Sequence, residues 1–230
     1  HFAPTEEAAN NLMMENYSSE KIYVTGNTVI DALIHVVDDN YLFEDSLLDS
    51  LDYNNKKIIL LTAHRRENIG EPMVNIFKAI KRVIEENEDV EVLYPIHLNP
   101  KVREIAKKTF GTIGRIHIIE PLDYLSFANL INKSHLVVTD SGGIQEEAPT
   151  LGKPVLVVRK ETERPEGIAA GTAKLAGIIE DDIYRMISEL INDSNKYDEM
   201  ANAVNPYGDG RASERIRDIL INDHINNNSF

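Results

Sequence analysis

Two short apolar runs joined by a glycine turn constrain this chain most. His135-Leu136-Val137-Val138 reads as a buried strand, and Leu151-Gly152-Lys153-Pro154-Val155-Leu156-Val157-Val158 as a turn and a second one. Between them stands Thr139-Asp140-Ser141-Gly142-Gly143-Ile144-Gln145-Glu146-Glu147-Ala148-Pro149. Strand, Ser-Gly-Gly turn, short helix and strand make one βαβ unit with its glycines at the strand's carboxyl end, where open parallel sheets hold ligands. The chemistry favours an anion. Two residues without a Cβ let backbone N–H groups approach a phosphate, and the free amides and positive end of the helix point at it. Ser141 adds a hydroxyl that can cap the helix or donate to a phosphate oxygen. An ordinary capped helix behind a glycine turn explains the same letters, and a short glycine motif does not decide between the two.

The rest of the chain repeats this grammar. His1-Phe2-Ala3-Pro4-Thr5 reads as the end of a strand entered mid-structure, with Thr5 capping a helix through Asn16, so the chain is expected to be part of a larger protein. Lys21-Ile22-Tyr23-Val24 is a strand ending at Thr25-Gly26-Asn27-Thr28, before a helix from Val29 to Val37. Residues 38–56, acidic and Asn-rich, suit a helix plus a solvated connection. Lys57-Ile58-Ile59-Leu60-Leu61-Thr62 is apolar throughout, as expected of a strand covered on both faces. It runs into Ala63-His64-Arg65-Arg66-Glu67-Asn68, the densest cationic spot in the chain. Arg65 and Arg66 can fork onto phosphate or carboxylate, and His64 can donate to an oxyanion or titrate. A surface loop of Arg–Glu pairs is the plainer alternative.

Apolar residues then recur at helical spacing from Met73 to Glu86. Val90 to Pro95 is a strand that ends at Ile96-His97-Leu98-Asn99-Pro100, where His97 taken alone is more readily structural. Gly114 to Ile119 is another strand, and Asp123 is placed to cap a helix with Phe127, Leu130 and Ile131 on its inner face. His117 and His135 fall inside strand patterns and read as packing residues. Past Val158 comes a second charged loop, Arg159-Lys160-Glu161-Thr162-Glu163-Arg164-Pro165-Glu166-Gly167. Gly171 to Gly177 suits a short strand, Asp181 caps a helix through Ile191, and a closing helix runs to about Leu220 with a frayed tail from Asn222.

Alternating strands and helices at these spacings favour right-handed parallel crossovers and a Rossmann-like α/β domain. The loops around His64, His97, Ser141 and Arg164 all follow strands and should line one rim, which points to a phosphate-bearing ligand. Neither G-x-G-x-x-G after the first strand nor G-x-x-x-x-G-K-[ST] is present, so classical dinucleotide binding and Walker-type NTP hydrolysis are unsupported. A formal charge of −14 argues against nucleic acid or an anionic membrane as partner. With no cysteine, disulfides and thiolate zinc sites are excluded, which fits a reducing, cytoplasmic setting. No apolar run is long enough to span a membrane.

These loops together resemble the non-hydrolysing UDP-N-acetylglucosamine 2-epimerases. The likeness is carried by Thr62-Ala63-His64-Arg65-Arg66-Glu67-Asn68, Pro95-Ile96-His97-Leu98-Asn99-Pro100, Thr139 to Pro149, and Glu163-Arg164-Pro165-Glu166. His1 to Thr5, Val24 to Thr28 and Asn205-Pro206-Tyr207-Gly208-Asp209-Gly210 share it, so it spans nearly the whole chain in the family's order. The resemblance implies a two-domain GT-B-type fold like that of many glycosyltransferases. In it residues 1–20 end the N-terminal domain, 21–200 form the UDP-binding Rossmann-like domain, and 201–230 lean back toward the first domain.

The resemblance further implies interconversion of UDP-GlcNAc and UDP-ManNAc by anti elimination of UDP and re-addition through a 2-acetamidoglucal, with no metal or redox cofactor and with a homodimer. By the same likeness Ser141, Gly142 and Gly143 take the diphosphate and Glu147 the ribose hydroxyls. Leu122 and Phe127 hold uracil, and His64 and Arg164 face the phosphates and the departing UDP. Arg65 and His97 match contacts of an activating UDP-GlcNAc site. The family's proton-transfer carboxylates lie in its N-terminal domain, so none is assigned here, and this piece alone is expected to bind UDP weakly and catalyse nothing. A hydrolysing epimerase, a glycosyltransferase and a nucleotide-sugar binding module are the competing readings.

Overall fold

The computed structural model describes residues 1–227. Packing divides them into two compact units, His1–Val36 with the chain from Asn205 onward, and Val37–Val204.

The first unit holds β1 (Phe2–Ala3), α1 (Glu6–Met14), β2 (Tyr23–Val24), α2 (Thr28–Val36) and the closing helix α11 (Ala212–Asn227). Strands β1 and β2 pair in parallel. Thr5 caps α1 as its sequence promises, its hydroxyl accepting the Ala8 N–H at 3.1 Å. Asp31 on α2 caps α11 from a distance: its carboxylate accepts the N–H groups of Ala212 at 3.1 Å and Ser213 at 2.6 Å. Two glycine turns press together here. A Cβ on Gly26 would lie 3.3 Å from the Gly208 Cα, and both residues have positive φ, so neither turn tolerates a side chain.

Residues 21–36, grouped with the nucleotide domain from sequence, pack in this unit because β2 pairs with β1 and α2 lies on α11. Helix α11 continues to Asn227 instead of stopping near Leu220, so the segment from Asn222 is helical where a frayed tail was expected. Residues 228–230 lie outside the described residues.

The second unit is a parallel sheet covered on both faces. Its strands are β3 (Lys57–Thr62), β4 (Val90–Pro95), β5 (Ile116–Ile119), β6 (Leu136–Thr139), β7 (Val155–Val157) and β8 (Ala173–Leu175), in the order β5-β4-β3-β6-β7-β8. The connecting helices are α3 (Ser46–Ser50), α4 (Glu71–Glu86), α5 (Pro100–Phe110), α6 (Tyr124–Lys133), α7 (Gly142–Glu147), α8 (Pro165–Ala169), α9 (Glu180–Asn192) and α10 (Ser194–Ala201). Side-chain alternation explains why β3 is apolar at all four positions from 58 to 61. Ile59 and Leu61 join the core under α4, α5 and α9, whereas Ile58 and Leu60 join the core under α3 and α6.

Some sequence expectations change in detail. Asp181 lies inside the first turn of α9 rather than at its cap, and its carboxylate takes Arg82 at 2.7 Å. His117 is not a plain packing residue: its Nε2 sits 2.6 Å from the Glu91 carboxylate on the neighbouring strand. His135 does pack, stacked on Tyr197 at 4.3 Å between ring centroids.

Candidate active site at the switch point of the sheet

After β3 the chain adds β4 and β5 on one side, then returns to place β6 on the other. Strand order therefore reverses between β3 and β6. At such a switch point the two carboxyl-end loops diverge to opposite faces and leave a crevice. Those two loops are the ones carrying His64 and Ser141. Thr62 and Thr139 stand side by side in register, their hydroxyls 2.6 Å apart, and close the sheet beneath the crevice.

Asp140 ties the two loops together. It is fully buried, and its Oδ2 accepts the backbone N–H of His64 at 2.9 Å, that of Arg65 at 2.8 Å and the Asn68 side-chain amide at 3.0 Å. Its Oδ1 has no hydrogen-bond partner and lies 3.6 Å from His64 Nδ1. That is longer than a hydrogen bond. Asn68 also donates to the Val158 carbonyl at 3.1 Å, so the third loop is anchored to the first two. The buried Tyr94 hydroxyl fixes Ala63 by donating to its carbonyl at 2.7 Å. Burial pushes that phenol well above its ordinary range, with the Asp140 charge adding to it, so it stays a donor.

The sequence reading passes over Asp140, although an acidic residue ending an apolar strand is a legible signal. Buried charge survives there only with several donors.

His64 and His97 come together as expected of loops on one rim. Their rings stack 5.2 Å apart and nearly parallel at 7°. His97 Nδ1 accepts the Asn99 N–H at 3.1 Å, which places the neutral ring's proton on Nε2.

Ser141 occupies the cap position of α7 but makes no capping bond, and its N–H donates to the Thr139 hydroxyl at 2.9 Å. Gly142 sits in a tight place. A Cβ there would lie 3.1 Å from Glu163 Oε1 and within 3.8 Å of the Arg65 and Arg164 guanidinium groups. A Cβ added to Gly143 would meet nothing within 4 Å.

The charged loop after β7 contributes more than sequence suggests. Arg164 pairs with the buried Glu146 and donates to the Glu163 carbonyl at 3.0 Å. Arg159, almost fully buried, bridges Glu67 at 2.7 Å and Glu163, while Arg65 reaches Glu163 at 3.0 Å. The loops counted as basic are thus neutralised by an equal weight of carboxylates. Arg66 stays exposed and joins no such pair among the described residues.

Glu147 is buried, and that burial, with the neighbouring Glu146 charge, lifts its carboxyl to about 6 against a partial offset from the Tyr124 hydroxyl. The Tyr124 bond brings the start of α6 against α7. Asp123 caps α6 at 2.8 Å, and Leu122 and Phe127 lie half-buried against the core beside it.

A family model described as UDP-N-acetylglucosamine 2-epimerase matches residues 1–221, almost the whole chain. The chain belongs to the UDP-N-acetylglucosamine 2-epimerase family. A Bacillus subtilis UDP-N-acetylglucosamine 2-epimerase is 57% identical over 221 residues, covering 96% of this chain and 57% of its own length. A solved S. aureus MnaA–UDP complex superposes with a TM-score of 0.90 at 55% identity, over 96% of this chain and 59% of that one. A Neisseria meningitidis UDP-GlcNAc 2-epimerase bound to UDP-GlcNAc superposes at 0.89 with 45% identity, over 96% of this chain and 61% of that one. The chain therefore spans about three fifths of the length of these epimerase-family relatives, and its sheet is the Rossmann-like domain of their GT-B-type fold. Among the described residues no helix is long and apolar enough to cross a membrane, and no group of three or more His, Asp or Glu could hold a metal ion.

Proposed function

We propose that this chain forms the UDP-binding half of an enzyme that interconverts UDP-GlcNAc and UDP-ManNAc, working as a homodimer. The observation that carries the proposal is the convergence of the His64, Ser141-Gly142-Gly143 and Arg164 loops on the switch-point crevice, held there by Asp140. In this reading a base from the N-terminal domain removes the C2 proton. The C–H electrons form the C1–C2 double bond of a 2-acetamidoglucal as the C1–O bond breaks and its pair leaves with UDP. Return of UDP to C1 and of a proton to the opposite face of C2 completes the epimerisation.

Negative charge grows on the departing diphosphate, so the useful groups are donors already fixed in place. The N–H groups of Gly142 and Gly143, which the six-residue helix α7 leaves unpaired, are such donors, with the Ser141 hydroxyl beside them. Arg164, held by Glu146 and the Glu163 carbonyl, turns its guanidinium toward the phosphates. His64 donates from the ring that faces the crevice. Glu147, mostly ionised at neutral pH, accepts two ribose hydroxyls, and Leu122 and Phe127 take the uracil. Arg65 and His97 belong to an activating UDP-GlcNAc site.

Gly143 tests this reading sharply. Gly143→Ala meets nothing in the protein and replaces a poor helix former, so folding stability should hold or rise by about 0.5–1 kcal/mol. A diphosphate resting on that N–H would strike the new methyl. Calorimetric titration of the full-length protein should then show UDP affinity falling about tenfold or more. Unchanged affinity would place the diphosphate elsewhere.

A further inference from the structure

At the other end of the sheet, before β3, β6 and β7, lies a cavity of about 620 Å³. Four lysines line it, Lys56, Lys57, Lys133 and Lys153, against the two carboxylates of Asp39 and Asp89. That is a local excess of positive charge in a chain whose formal charge is −14. The strand between this cavity and the crevice runs six residues, roughly 20 Å, so the two sites are separate.

Three of the lysines have partners. Lys57 pairs with Asp89 at 3.0 Å, Lys56 donates to the Glu88 carbonyl at 2.9 Å, and Lys133 donates to the Asp39 carbonyl at 3.2 Å. The Lys153 ammonium makes no hydrogen bond or ion pair among the described residues, although the residue is half-buried. Burial holds its ammonium below the ordinary value despite the Asp39 charge nearby. His135 lines the same cavity, and burial with the charges of Lys57 and Lys153 pushes it down to about 4, so it adds no charge at neutral pH. A half-buried ammonium without a partner is costly, and an anion in the cavity would remove that cost.

We propose that this cavity binds a small phosphate ester carrying hydroxyl groups, such as a sugar phosphate. Lys153 is its central contact. Lysine recognises phosphate as a point charge, and the volume lies within the usual range for small-molecule sites. The Asp39 carboxylate, already oriented by the Asn132 amide at 3.0 Å, can accept hydroxyl protons that bare phosphate lacks. The inference does not depend on the reading of the crevice.

Amide NMR of the full-length protein titrated with glucose 6-phosphate tests it, with UDP present to fill the crevice. Saturable shifts confined to residues such as Asn132, His135 and Lys153 are expected. Lys153→Met keeps the buried stem and removes the charge, and should weaken that binding about tenfold or more. Lys153→Arg should retain most of it, which separates lost charge from a damaged fold. The proposal is overturned if millimolar glucose 6-phosphate shifts none of these amides, or if Lys153→Met binds as the unaltered protein does.

Discussion

Asp140→Ala is expected to destabilise the protein by about 3–5 kcal/mol and to remove UDP binding with it. The side chain is fully buried, and three N–H donors from His64, Arg65 and Asn68 lose their acceptor at once. A buried donor left unmet costs about 1–3 kcal/mol, and the three losses share one cavity, so the sum is below three independent costs. Urea denaturation measures the stability, and a loss under about 1 kcal/mol would show that the loops are held by something else.

Asp140→Asn separates scaffold from chemistry. The amide oxygen can take over all three donors, so most of the stability should return. Its NH₂ then occupies the place of Oδ1, 3.6 Å from His64 Nδ1, and puts a neutral donor where the carboxylate charge stood. On the proposed role of His64 as a donor to the departing diphosphate, turnover in the full-length enzyme should fall about 100-fold or more with KM little changed, as expected when a preorganised transition-state donor is disturbed. A variant with normal turnover would leave Asp140 with a purely structural task.

Glu147→Gln should move stability and affinity in opposite directions. The carboxyl stands at about 6 in the folded protein against an ordinary value of 4.5, so folding must hold a charge that burial and Glu146 disfavour. For a carboxyl raised in this way the cost is absent below the unfolded value, grows between about 4.5 and 6, and is constant above. Glutamine abolishes it, so the unliganded protein should gain about 1–2 kcal/mol at pH 7 and nothing at pH 4. On the proposed ribose role of Glu147, the same substitution weakens the acceptor for two sugar hydroxyls, and UDP affinity should drop about tenfold or more. Thermal unfolding with and without UDP at both pH values reads both effects. An equal loss of stability at the two pH values would contradict the burial argument.

How far the sequence carries is clearest in β3 and Asp140. The continuous apolar run from Lys57 to Thr62 announces a strand covered on both faces, and its borders hold to the residue. Likewise the Ser-Gly-Gly turn lies at the carboxyl end of β6, as its position after an apolar run requires. Local patterns suffice there because periodicity and turn chemistry are local. Charge pairing is not. Nothing near Arg159 in sequence shows that Glu67, on the loop after another strand, will neutralise it. The cationic loops therefore look more basic in sequence than they are in space. Asp181 shows a smaller failure of the same kind: it resembles a cap, but its carboxylate is drawn to Arg82 on α4. The tight space around position 142 is likewise made by Glu163, a residue of the next loop.

Proton NMR of the full-length protein with UDP-GlcNAc in D₂O tests the central claim most directly. Elimination and re-addition predict deuterium at C2 together with UDP-ManNAc and little free sugar, all lost in step when the Asp140 scaffold is broken. Release of free ManNAc with UDP would contradict the non-hydrolysing reading. UDP binding without any exchange at C2 would contradict epimerisation itself and leave a nucleotide-sugar binding module in its place.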